Sequence, residues 1–497
     1  MRDGAATLWP VFRGSLLRNG DRPALAFGTR TWTYDQLSRT VAGAVGVLDG
    51  AGVRPGDRVV LLTGNHPAFP VYDLATMAVG GVKVPLSPAL TADEVSGIVA
   101  RVRPRAIVVS PELRDRYAGL DLTAVERLAE APAQDLPREA GTSPDDPAVI
   151  YFTGGTTGQP KGVVHTQAAT VTNLWAHLLD GGIGRDERLL LTTPLAHAAG
   201  LFTLAALLRG AYARVEPGFD TAAALDRIDT DRATWMFAVP TMIYRLLDLA
   251  AERGWRPATL RTLQYGAAPI SAARLRQALG RFGPVLQQLY AQTECPNYAA
   301  VLHKEDHLRA LTEPELMGSA GRASIMCELS IRDDAGAETE PGTPGEVCVR
   351  SPYTMRGYWD GESGDRFHGS WLRTGDIGYL DAEGFLFLVD RRNDMIVSGG
   401  MNVYSIEVEQ ALLTHPQVTA AAVVGVPHED WGEAVHAVIV GDAEPGELAE
   451  HCRAALASYK RPKSYEFAAE LPLTRYGKID KRALRLPHWA DHHRGIS

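Results

Sequence analysis

Cysteine is scarce in this sequence. Four cysteines occur in 497 residues, at Cys295, Cys327, Cys348 and Cys452, and no two of them form a CxxC pair. Disulfide frameworks and cysteine-based zinc sites need paired, closely spaced cysteines. The sequence therefore predicts neither, and it favours a reducing, cytoplasmic location.

Long apolar runs and an excess of basic charge are also missing. The N-terminal twenty residues lack the continuous apolar stretch of a signal peptide, and the apolar segment 195–212 is interrupted by His197 and Arg209. Lys and Arg number 50 against 59 Asp and Glu, a net charge of −9. Binding to nucleic acid requires a basic stripe. We therefore expect no nucleic-acid partner and no membrane span. We also expect either a monomer or a homodimer.

The pattern of apolar residues predicts an α/β protein. Helix and strand patterns alternate through the first 120 residues and again over 185–290, which indicates α/β layers with helices on both faces of a sheet. Short alternating strands over 320–390 indicate a small antiparallel β subdomain. The charged strip at 390–394 follows it, and then a compact α+β unit.

This organisation predicts two domains and a hinge. We expect a large N-terminal domain over 1–390, a hinge at 391–393, and a small mobile α+β C-terminal domain over 394–497. We expect a loop over 471–485. We expect His303–His307 to be a solvated polar segment, since its two histidines do not form an HExxH metal motif.

A glycine- and threonine-rich loop follows the predicted strand that ends at Thr153. Its sequence from Thr153 to Gly162 is TGGTTGQPKG. Glycines let backbone N–H groups approach a polyanion, threonines add hydroxyl donors, and a lysine adds positive charge. The loop does not match the GxxxxGK[ST] pattern. The triphosphate-binding candidates are Thr153, Gly154, Gly155, Thr156, Thr157, Gly158 and Lys161.

The segment YFTGGTTGQPKG, Tyr151 to Gly162, resembles the signature loop of the adenylate-forming superfamily. That superfamily includes acyl-CoA and aryl-CoA ligases, firefly luciferase and the adenylation domains of nonribosomal peptide synthetases. Gly154 stands where the family usually has Ser, so one hydroxyl contact to phosphate is lost while the backbone N–H remains. The resemblance implies ATP binding, with Thr156 and Glu294 as ligands of Mg²⁺.

Two further motifs resemble the family's adenine and phosphate segments. YGAAP at 265–269 resembles the segment that packs against adenine, and YAQTE at 290–294 resembles YGxTE with Ala291 in place of Gly. The resemblance implies Tyr290 near adenine, Thr293 at the α-phosphate and Glu294 at the metal. The ATP-binding residues that these segments add are Gly266, Ala267, Ala268, Tyr290, Ala291 and Gln292.

The C-terminal third carries the remaining motifs. TGD at 374–376 resembles the family motif whose aspartate binds ribose, so Asp376 is implied there together with Arg391. Asn393 falls at the family's hinge. PLTRYGKI at 472–479 resembles the motif that carries the catalytic lysine, Lys478. An ammonium group there neutralises charge that develops as an acid attacks phosphorus.

The acid and CoA sites are implied by weaker resemblances. His197, in PLAHAAG, matches a position at the acyl pocket, and the implied pocket comprises His197, Gly200, Tyr265 and Gly266. The loop containing Ser398, Gly399 and Gly400 resembles the one that lines the pantetheine tunnel, and Lys460 lies in a basic cluster suited to the CoA phosphates. Ser405 departs from the family's usual Pro. The implied catalytic residues are Lys478, Thr293, Glu294 and His197.

The resemblance implies an ATP-dependent carboxylic acid–CoA ligase of the AMP-forming type. ATP, Mg²⁺ and CoA are the expected cofactors and co-substrates, and the mixed aromatic and small residues of the pocket suit an apolar or aryl acid. Three alternatives stay open: loading of a carrier-protein thiol, adenylation of another anion such as nitrite, and a non-catalytic nucleotide-binding relative. Intact Glu294, Asp376, Arg391 and Lys478 argue against the last.

Overall fold

The computed structural model describes residues 6–124, 128–131, 136–138, 140–153, 160–268, 270–361, 366–391, 394–398, 401–474 and 479–489. The helices are α1 (Leu8–Asn19), α2 (Tyr34–Gly50), α3 (Ala68–Ala78), α4 (Ala92–Val102), α5 (Gln167–Leu179), α6 (Ala198–Arg209), α7 (Thr221–Thr230), α8 (Pro240–Glu252), α9 (Ala272–Phe282), α10 (Lys304–Arg309), α11 (Ser405–Leu413), α12 (Pro445–Ala455) and α13 (Lys481–Trp489).

The strands are β1 (Pro23–Phe27), β2 (Arg30–Thr33), β3 (Arg58–Leu62), β4 (Val82–Pro85), β5 (Ala106–Val109), β6 (Thr123–Ala124), β7 (Pro147–Thr153), β8 (Lys161–Thr166), β9 (Arg188–Leu191), β10 (Tyr212–Val215), β11 (Trp235–Ala238), β12 (Thr262–Gly266), β13 (Leu286–Gln292), β14 (Cys295–Leu302), β15 (Arg322–Ala323), β16 (Glu328–Arg332), β17 (Gly345–Arg350), β18 (Gly357–Tyr358), β19 (Phe367–His368), β20 (Trp371–Leu380), β21 (Leu386–Arg391), β22 (Ile396–Ser398), β23 (Met401–Val403), β24 (Val418–His428), β25 (Gly432–Gly441) and β26 (Ser464–Phe467).

Two large mixed sheets form the N-terminal part. The first has the order β18-β8-β7-β4-β3-β5-β6 and is parallel from β7 to β6. The second has the order β15-β14-β13-β12-β11-β9-β10-β1-β2 and is parallel from β13 to β1. Helices connect the parallel strands, as parallel neighbours require. The predicted α/β class is confirmed.

Helix boundaries follow local capping signals. The helix α2 lies in the first 120 residues, where alternating helices and strands were predicted, and it begins after Thr33 in a capping box with Gln36. α4 begins in the same way with Thr91 and Glu94. A capping box satisfies backbone N–H groups that the first helical turn leaves without a partner.

The predicted antiparallel subdomain is present. β16, β17, β20 and β19 follow one another in a sheet, and β21 pairs with β20; every pairing is antiparallel. Buried residues alternate along most of β20, as expected for a strand with one covered face. Asp376 lies on the buried face of this strand.

The C-terminal part is built on a separate five-stranded sheet. Its order is β23-β22-β25-β24, with β26 parallel to β25. Val408 and Leu412 of α11 and Leu448 of α12 pack in one buried cluster with sheet residues such as Val423. A smaller cluster with Val438 and Leu471 includes Leu484 of α13.

Two expectations for the local structure were wrong. Residues 471–485 are not loop throughout, because α13 begins at Lys481. The segment His303–His307 is not solvated: Asp306 and His307 are buried, and Asp306 accepts a hydrogen bond from His303 N–H (3.1 Å) to start α10.

All four cysteines are free thiols. None of the helices in the described residues combines the length and the apolarity needed to cross a bilayer.

Candidate active site

The predicted triphosphate loop connects two antiparallel strands. Thr153 ends β7 and is in register with Lys161, which begins β8. The intervening candidates Gly154, Gly155, Thr156, Thr157 and Gly158 lie outside the described residues. The Lys161 ammonium lies 5.2 Å from the centre of the Tyr358 ring, within the range of a cation–π contact. The base of the loop therefore lies beside the segment that carries Tyr358.

Glu294 is buried among donors. The residue lies between β13 and β14, and its Oε1 accepts a hydrogen bond from the Tyr358 hydroxyl at 2.9 Å. Arg366 Nη2 lies 3.4 Å from the same oxygen, and Arg366 Nε donates to the Tyr358 hydroxyl at 3.1 Å. Burial, with the Glu294 charge adding to it, raises the pKa of Tyr358 to about 12, so the phenol stays a donor at neutral pH. The described hydrogen bonds to this carboxylate all fall on Oε1, which leaves Oε2 for a hard cation.

The backbone of Thr293 is held by a buried histidine. His165 Nε2 donates to the Thr293 carbonyl oxygen at 2.8 Å. Burial lowers the pKa of His165 to about 4, so the imidazole is neutral and has one N–H to give. The contact fixes the YAQTE segment against β8.

Asp376 joins two motifs that are far apart in sequence. Its Oδ2 accepts hydrogen bonds from the Tyr290 hydroxyl at 2.6 Å and from Gln292 Nε2 at 2.7 Å. Gln292 Nε2 also reaches the Thr374 carbonyl oxygen at 2.8 Å. On the neighbouring strand, Arg391 is in antiparallel register with Asp376. The structure thus brings the two predicted ribose-binding positions together with the predicted adenine-binding tyrosine.

Gly375 allows β20 to adopt a positive φ angle just before Asp376. Its φ is +74°, a region in which a side chain is strained. Its N–H donates to Glu346 Oε1 at 3.2 Å, and the Thr374 hydroxyl donates to the Val347 carbonyl oxygen at 2.7 Å. These bonds fix the TGD segment on β17.

The predicted adenine segment ends β12 with close backbone packing. A Cβ at Gly266 would lie 2.6 Å from the Leu289 carbonyl oxygen, so glycine is required here. Ala267 has a φ of +69°, which is rare without a glycine and is often found at functional sites. Ala268 is exposed. The turn therefore offers small residues at the end of the strand.

Tyr265 and Gly200, both implied in the acid pocket, have structural roles. The Tyr265 ring is fully buried, and its hydroxyl lies 2.8 Å from His307 Nε2 and 3.0 Å from Gln288 Oε1. A Cβ at Gly200 would lie 2.3 Å from the Leu195 carbonyl oxygen. These contacts place the Tyr265 side chain in the core, whereas the half-buried His197 lies just before α6.

The candidate residues of the C-terminal part are only partly described. Asn393, Gly399, Gly400 and Lys478 lie outside the described residues. The loop that contains Lys478 is closed at its base by an antiparallel bridge between Leu473 and Ile479, and Asp480 N–H donates to the Pro472 carbonyl oxygen at 2.8 Å. These contacts fix the residues on either side of the segment that contains Lys478.

The two CoA candidates that are described are both engaged. Ser398 is buried at the end of β22, in register with Gly432. Lys460 donates to both carboxylate oxygens of Glu407, at 2.6 and 2.7 Å. Burial by itself would lower the Lys460 pKa, but the hydrogen bonds and charge of Glu407 raise it. Lys460 is therefore charged and already paired.

Sequence reasoning missed Tyr358, Arg366 and His165. Each is a single polar residue outside the recognised motifs, and each acts on a motif residue over a separation of 64, 72 and 128 positions respectively. The pairing of Gly357-Tyr358 with β8, beside the loop, is visible only in the structure. No sequence signal identified any of the three residues.

A family model described as AMP-binding enzyme matches residues 12–359, and a second, described as AMP-binding enzyme C-terminal domain, matches residues 407–478. The chain belongs to the AMP-binding enzyme family. Membership confirms the resemblance inferred from the motifs. It covers both the large N-terminal part and the small C-terminal part of this AMP-binding enzyme.

Similar proteins match this AMP-binding enzyme along almost its whole length. A feruloyl-CoA synthase of an Amycolatopsis species is 36% identical over 98% of this chain and 99% of the relative. The structure of the amide bond synthetase McbA from Marinactinospora thermotolerans matches with a TM-score of 0.88 and 32% identity over 96% of this chain and 99% of that one. The o-succinylbenzoate CoA synthetase MenE from Bacillus subtilis, in complex with its acyl-adenylate intermediate, matches with a TM-score of 0.87 and 29% identity over 96% and 98%.

Proposed function

We propose that this AMP-binding enzyme is an ATP-dependent carboxylic acid–CoA ligase that forms an acyl-adenylate and then a CoA thioester. The observation that carries the proposal is the meeting of Asp376 with Tyr290 and Gln292, since it joins an acceptor for ribose hydroxyls to the adenine-side motif. The similarity to a feruloyl-CoA synthase and to MenE supports the same reaction.

Phosphate binding is assigned to the loop between β7 and β8. Backbone N–H groups of Gly154 to Gly158, with the Lys161 ammonium, would hold the β- and γ-phosphates. Lys161 and Arg366 approach Tyr358 from different elements, so positive charge gathers beside Glu294. This arrangement suits a triphosphate that lies along the carboxyl ends of the strands.

The metal assignment fits the donor set. The Glu294 carboxylate is buried, and the described donors bind only its Oε1 atom. Mg²⁺ prefers oxygen ligands, so Oε2 is a suitable one. Thr156 is the second proposed ligand. Bound there, Mg²⁺ would neutralise phosphate charge. The Tyr358 and Arg366 contacts hold the carboxylate in place for it.

The chemical step needs positioning rather than a covalent nucleophile. A carboxylate oxygen attacks the α-phosphorus of ATP, and pyrophosphate leaves. In the resulting acyl-adenylate, the leaving group on the acyl carbon is AMP instead of oxide. Lys478 is proposed to orient the reacting oxygens, Thr293 to contact the α-phosphate, and Asp376 with Arg391 to hold the ribose. A CoA thiol then attacks the acyl carbonyl carbon, and AMP departs.

The second step is assigned to the small C-terminal domain. We propose 1–390 and 394–497 as the two domains, with Asn393 as the hinge, and Ser398, Gly399, Gly400 and Lys460 at the CoA site. Lys460 reaches CoA phosphate only by leaving Glu407, to which it donates two hydrogen bonds. If Lys460 binds CoA, Lys460→Ala should raise the KM for CoA, and Glu407→Gln, which frees the ammonium, should lower it. Unchanged KM in both variants would remove Lys460 from the site.

Amide formation is a second candidate. The McbA structure matches this chain as well as the CoA synthetase structures do, and the Glu407 pairing of Lys460 leaves this cation neutralised. In that reaction an amine, rather than a thiol, would attack the adenylate. A carrier-protein thiol would be a further acceptor for the same intermediate.

The proposal is tested by supplying ATP, Mg²⁺ and a panel of fatty, aryl and dicarboxylic acids, each without acceptor, with CoA, with a primary amine, and with a carrier protein. Pyrophosphate release and mass spectrometry of the products are measured. An acid-dependent release with a CoA thioester as the main product supports the ligase. Amide as the main product replaces it with the second candidate, and no acid-dependent pyrophosphate release with any acid contradicts both.

A further inference from the structure

Two histidines and a glutamate, none of them assigned to the ATP or CoA site, lie close together in the C-terminal domain. They are His436 on β25, Glu466 on β26 and His488 on α13, and one ligand atom of each lies within 4.8 Å of the others. The two imidazole ring centres are 4.7 Å apart. His436 Nε2 lies 3.4 Å from Glu466 Oε2.

The sheet and the helix bring these side chains to one face. His436 is in parallel register with Ser464, and Glu466 follows two residues later on the same face of β26. Leu484 of α13 packs against Val438 and Ala422 on this sheet. His488 lies one helical turn after Leu484, so it is on the same side of the helix.

His436, the buried residue of the three, is held in an orientation suited to a metal ligand. His436 is 5% exposed, and its Nδ1 is engaged with the Ser464 hydroxyl at 2.7 Å. This bond fixes the ring and leaves Nε2 to face Glu466 and His488. Among the described residues, none forms a hydrogen bond with the buried Nε2 atom. Metal-bound histidines commonly have their other ring nitrogen fixed in this way.

We propose that His436, Glu466 and His488 bind a divalent transition-metal ion, with Zn²⁺ as the preferred cation. Two imidazole nitrogens and a carboxylate are a set that zinc accepts at roughly 2.0–2.2 Å, with water in the fourth position. The glutamate is exposed and can move to shorten the distances.

The ion would attach α13 to the sheet of the C-terminal domain. The helix is already held by Arg485, which pairs with Asp394 at 2.7 Å, and by Trp489 Nε1, which donates to the Gly425 carbonyl oxygen at 3.1 Å. These contacts do not involve His488. Removing His488 should therefore abolish zinc binding while the helix stays in place.

The experiment is a zinc titration of the full-length protein in excess Mg²⁺, in competition with a chromophoric chelator. The wild type is expected to bind one tight equivalent. His488→Ala and His436→Ala should weaken this equivalent by at least 100-fold, Glu466→Gln by less, and Ser464→Ala by roughly 10-fold through loss of ring orientation. Co²⁺ in place of zinc should give visible absorption bands of a four-coordinate nitrogen and oxygen site in the wild type, and these bands should be absent from His488→Ala and His436→Ala.

A matched control uses the histidines at the end of the chain. His492 and His493 follow His488 closely in sequence and could chelate zinc by themselves. The double variant His492→Ala/His493→Ala should keep the tight equivalent. Zinc should also raise its unfolding temperature as much as it raises that of the wild type. If the wild type binds no zinc tightly, or if binding survives in His488→Ala and disappears in the double variant, the proposal is wrong. None of these measurements depends on ligase activity.

Discussion

Ser405 binds the carboxylate of Asp390 through both its backbone N–H and its hydroxyl. The hydroxyl lies 3.0 Å from Asp390 Oδ1, and Lys481 Nζ donates to the same hydroxyl at 2.5 Å. Lys481 also pairs with Glu409 at 2.7 Å. Asp390 directly precedes the proposed hinge, and Ser405 begins α11, so this contact links the two proposed domains. It explains the departure from proline at position 405, since proline has no N–H to donate.

The first prediction concerns this link. Ser405→Ala should lower the free energy of unfolding by about 2 kcal/mol, because a buried carboxylate loses a hydrogen bond. Ser405→Pro fits the first turn of a helix but removes the N–H donor as well, so it should cost more. Urea denaturation measures both. The control is Ser458→Ala at an exposed serine of the same domain. Equal stability of all four proteins would contradict the role of the link.

The second prediction concerns ribose binding. Asp376→Ala should raise the KM for ATP at least 10-fold in pyrophosphate exchange, because the acceptor for the ribose hydroxyls is lost. Tyr290→Phe removes only the phenol that donates to Asp376 at 2.6 Å, so its effect should be smaller. An unchanged KM for ATP in Asp376→Ala would refute the ribose contact.

Asp376 also shows how far sequence reasoning reaches. Its position in a TGD motif predicted the role, and the YAQTE motif predicted that of Tyr290, but their 2.6 Å contact depends on how β13 and the antiparallel subdomain come together. Short motifs encode local turns and side-chain chemistry. Contacts between distant segments depend on packing, which is why Tyr358 and Arg366, which both contact Glu294 Oε1, could not be identified.

The fold was predictable where apolar patterns are strong. The helix α2 and the strand β3 have clear apolar patterns, and both lie in the first 120 residues, where alternating helices and strands were predicted. α13 was missed because its sequence, KRALRLPHW, has few apolar residues and contains a proline. Its helix is stabilised by tertiary contacts, among them Leu484 on the sheet and Arg485 with Asp394. Likewise, the buried His307 is bonded through Nε2 to the Tyr265 hydroxyl, a contact between segments 42 positions apart that the local sequence does not indicate.

The third prediction separates the two half-reactions. Lys478→Ala should abolish formation of the adenylate but spare thioester formation from acyl-AMP that is supplied, because the lysine acts only while the acid attacks phosphorus. Replacement of Gly400 by a bulky residue should do the reverse and slow only the CoA step. Equal loss of both half-reactions in Lys478→Ala would overturn the role of the lysine.

The fourth prediction is a loss of stability in acid. Burial lowers the pKa values of His165, His177 and His307 to about 4, whereas an unfolded histidine titrates near pH 6.5. The unfolded state therefore binds more protons below pH 6.5, and stability is lost as the pH falls from there towards 4. Each histidine should cost about 2 kcal/mol between pH 7 and pH 5.

Urea denaturation at several pH values measures this loss. His177 can be tested separately: its Nδ1 donates to the Asn173 carbonyl oxygen at 2.7 Å, and its Nε2 accepts from Asn297 at 2.8 Å. His177→Gln should be less stable at pH 7 but should lose stability less steeply towards pH 5. An unchanged slope would show that folding does not lower the pKa of His177 and would contradict the prediction for this residue.

The most direct measurement follows the oxygen atoms of the acid. An accepted acid labelled with ¹⁸O in its carboxylate is incubated with ATP and the acceptor, and the nucleotide product is analysed by mass spectrometry. Attack of the carboxylate on the α-phosphorus predicts AMP that carries one ¹⁸O atom, whichever acceptor takes the acyl group. Unlabelled AMP, or ADP with the label in inorganic phosphate, would contradict the adenylate mechanism.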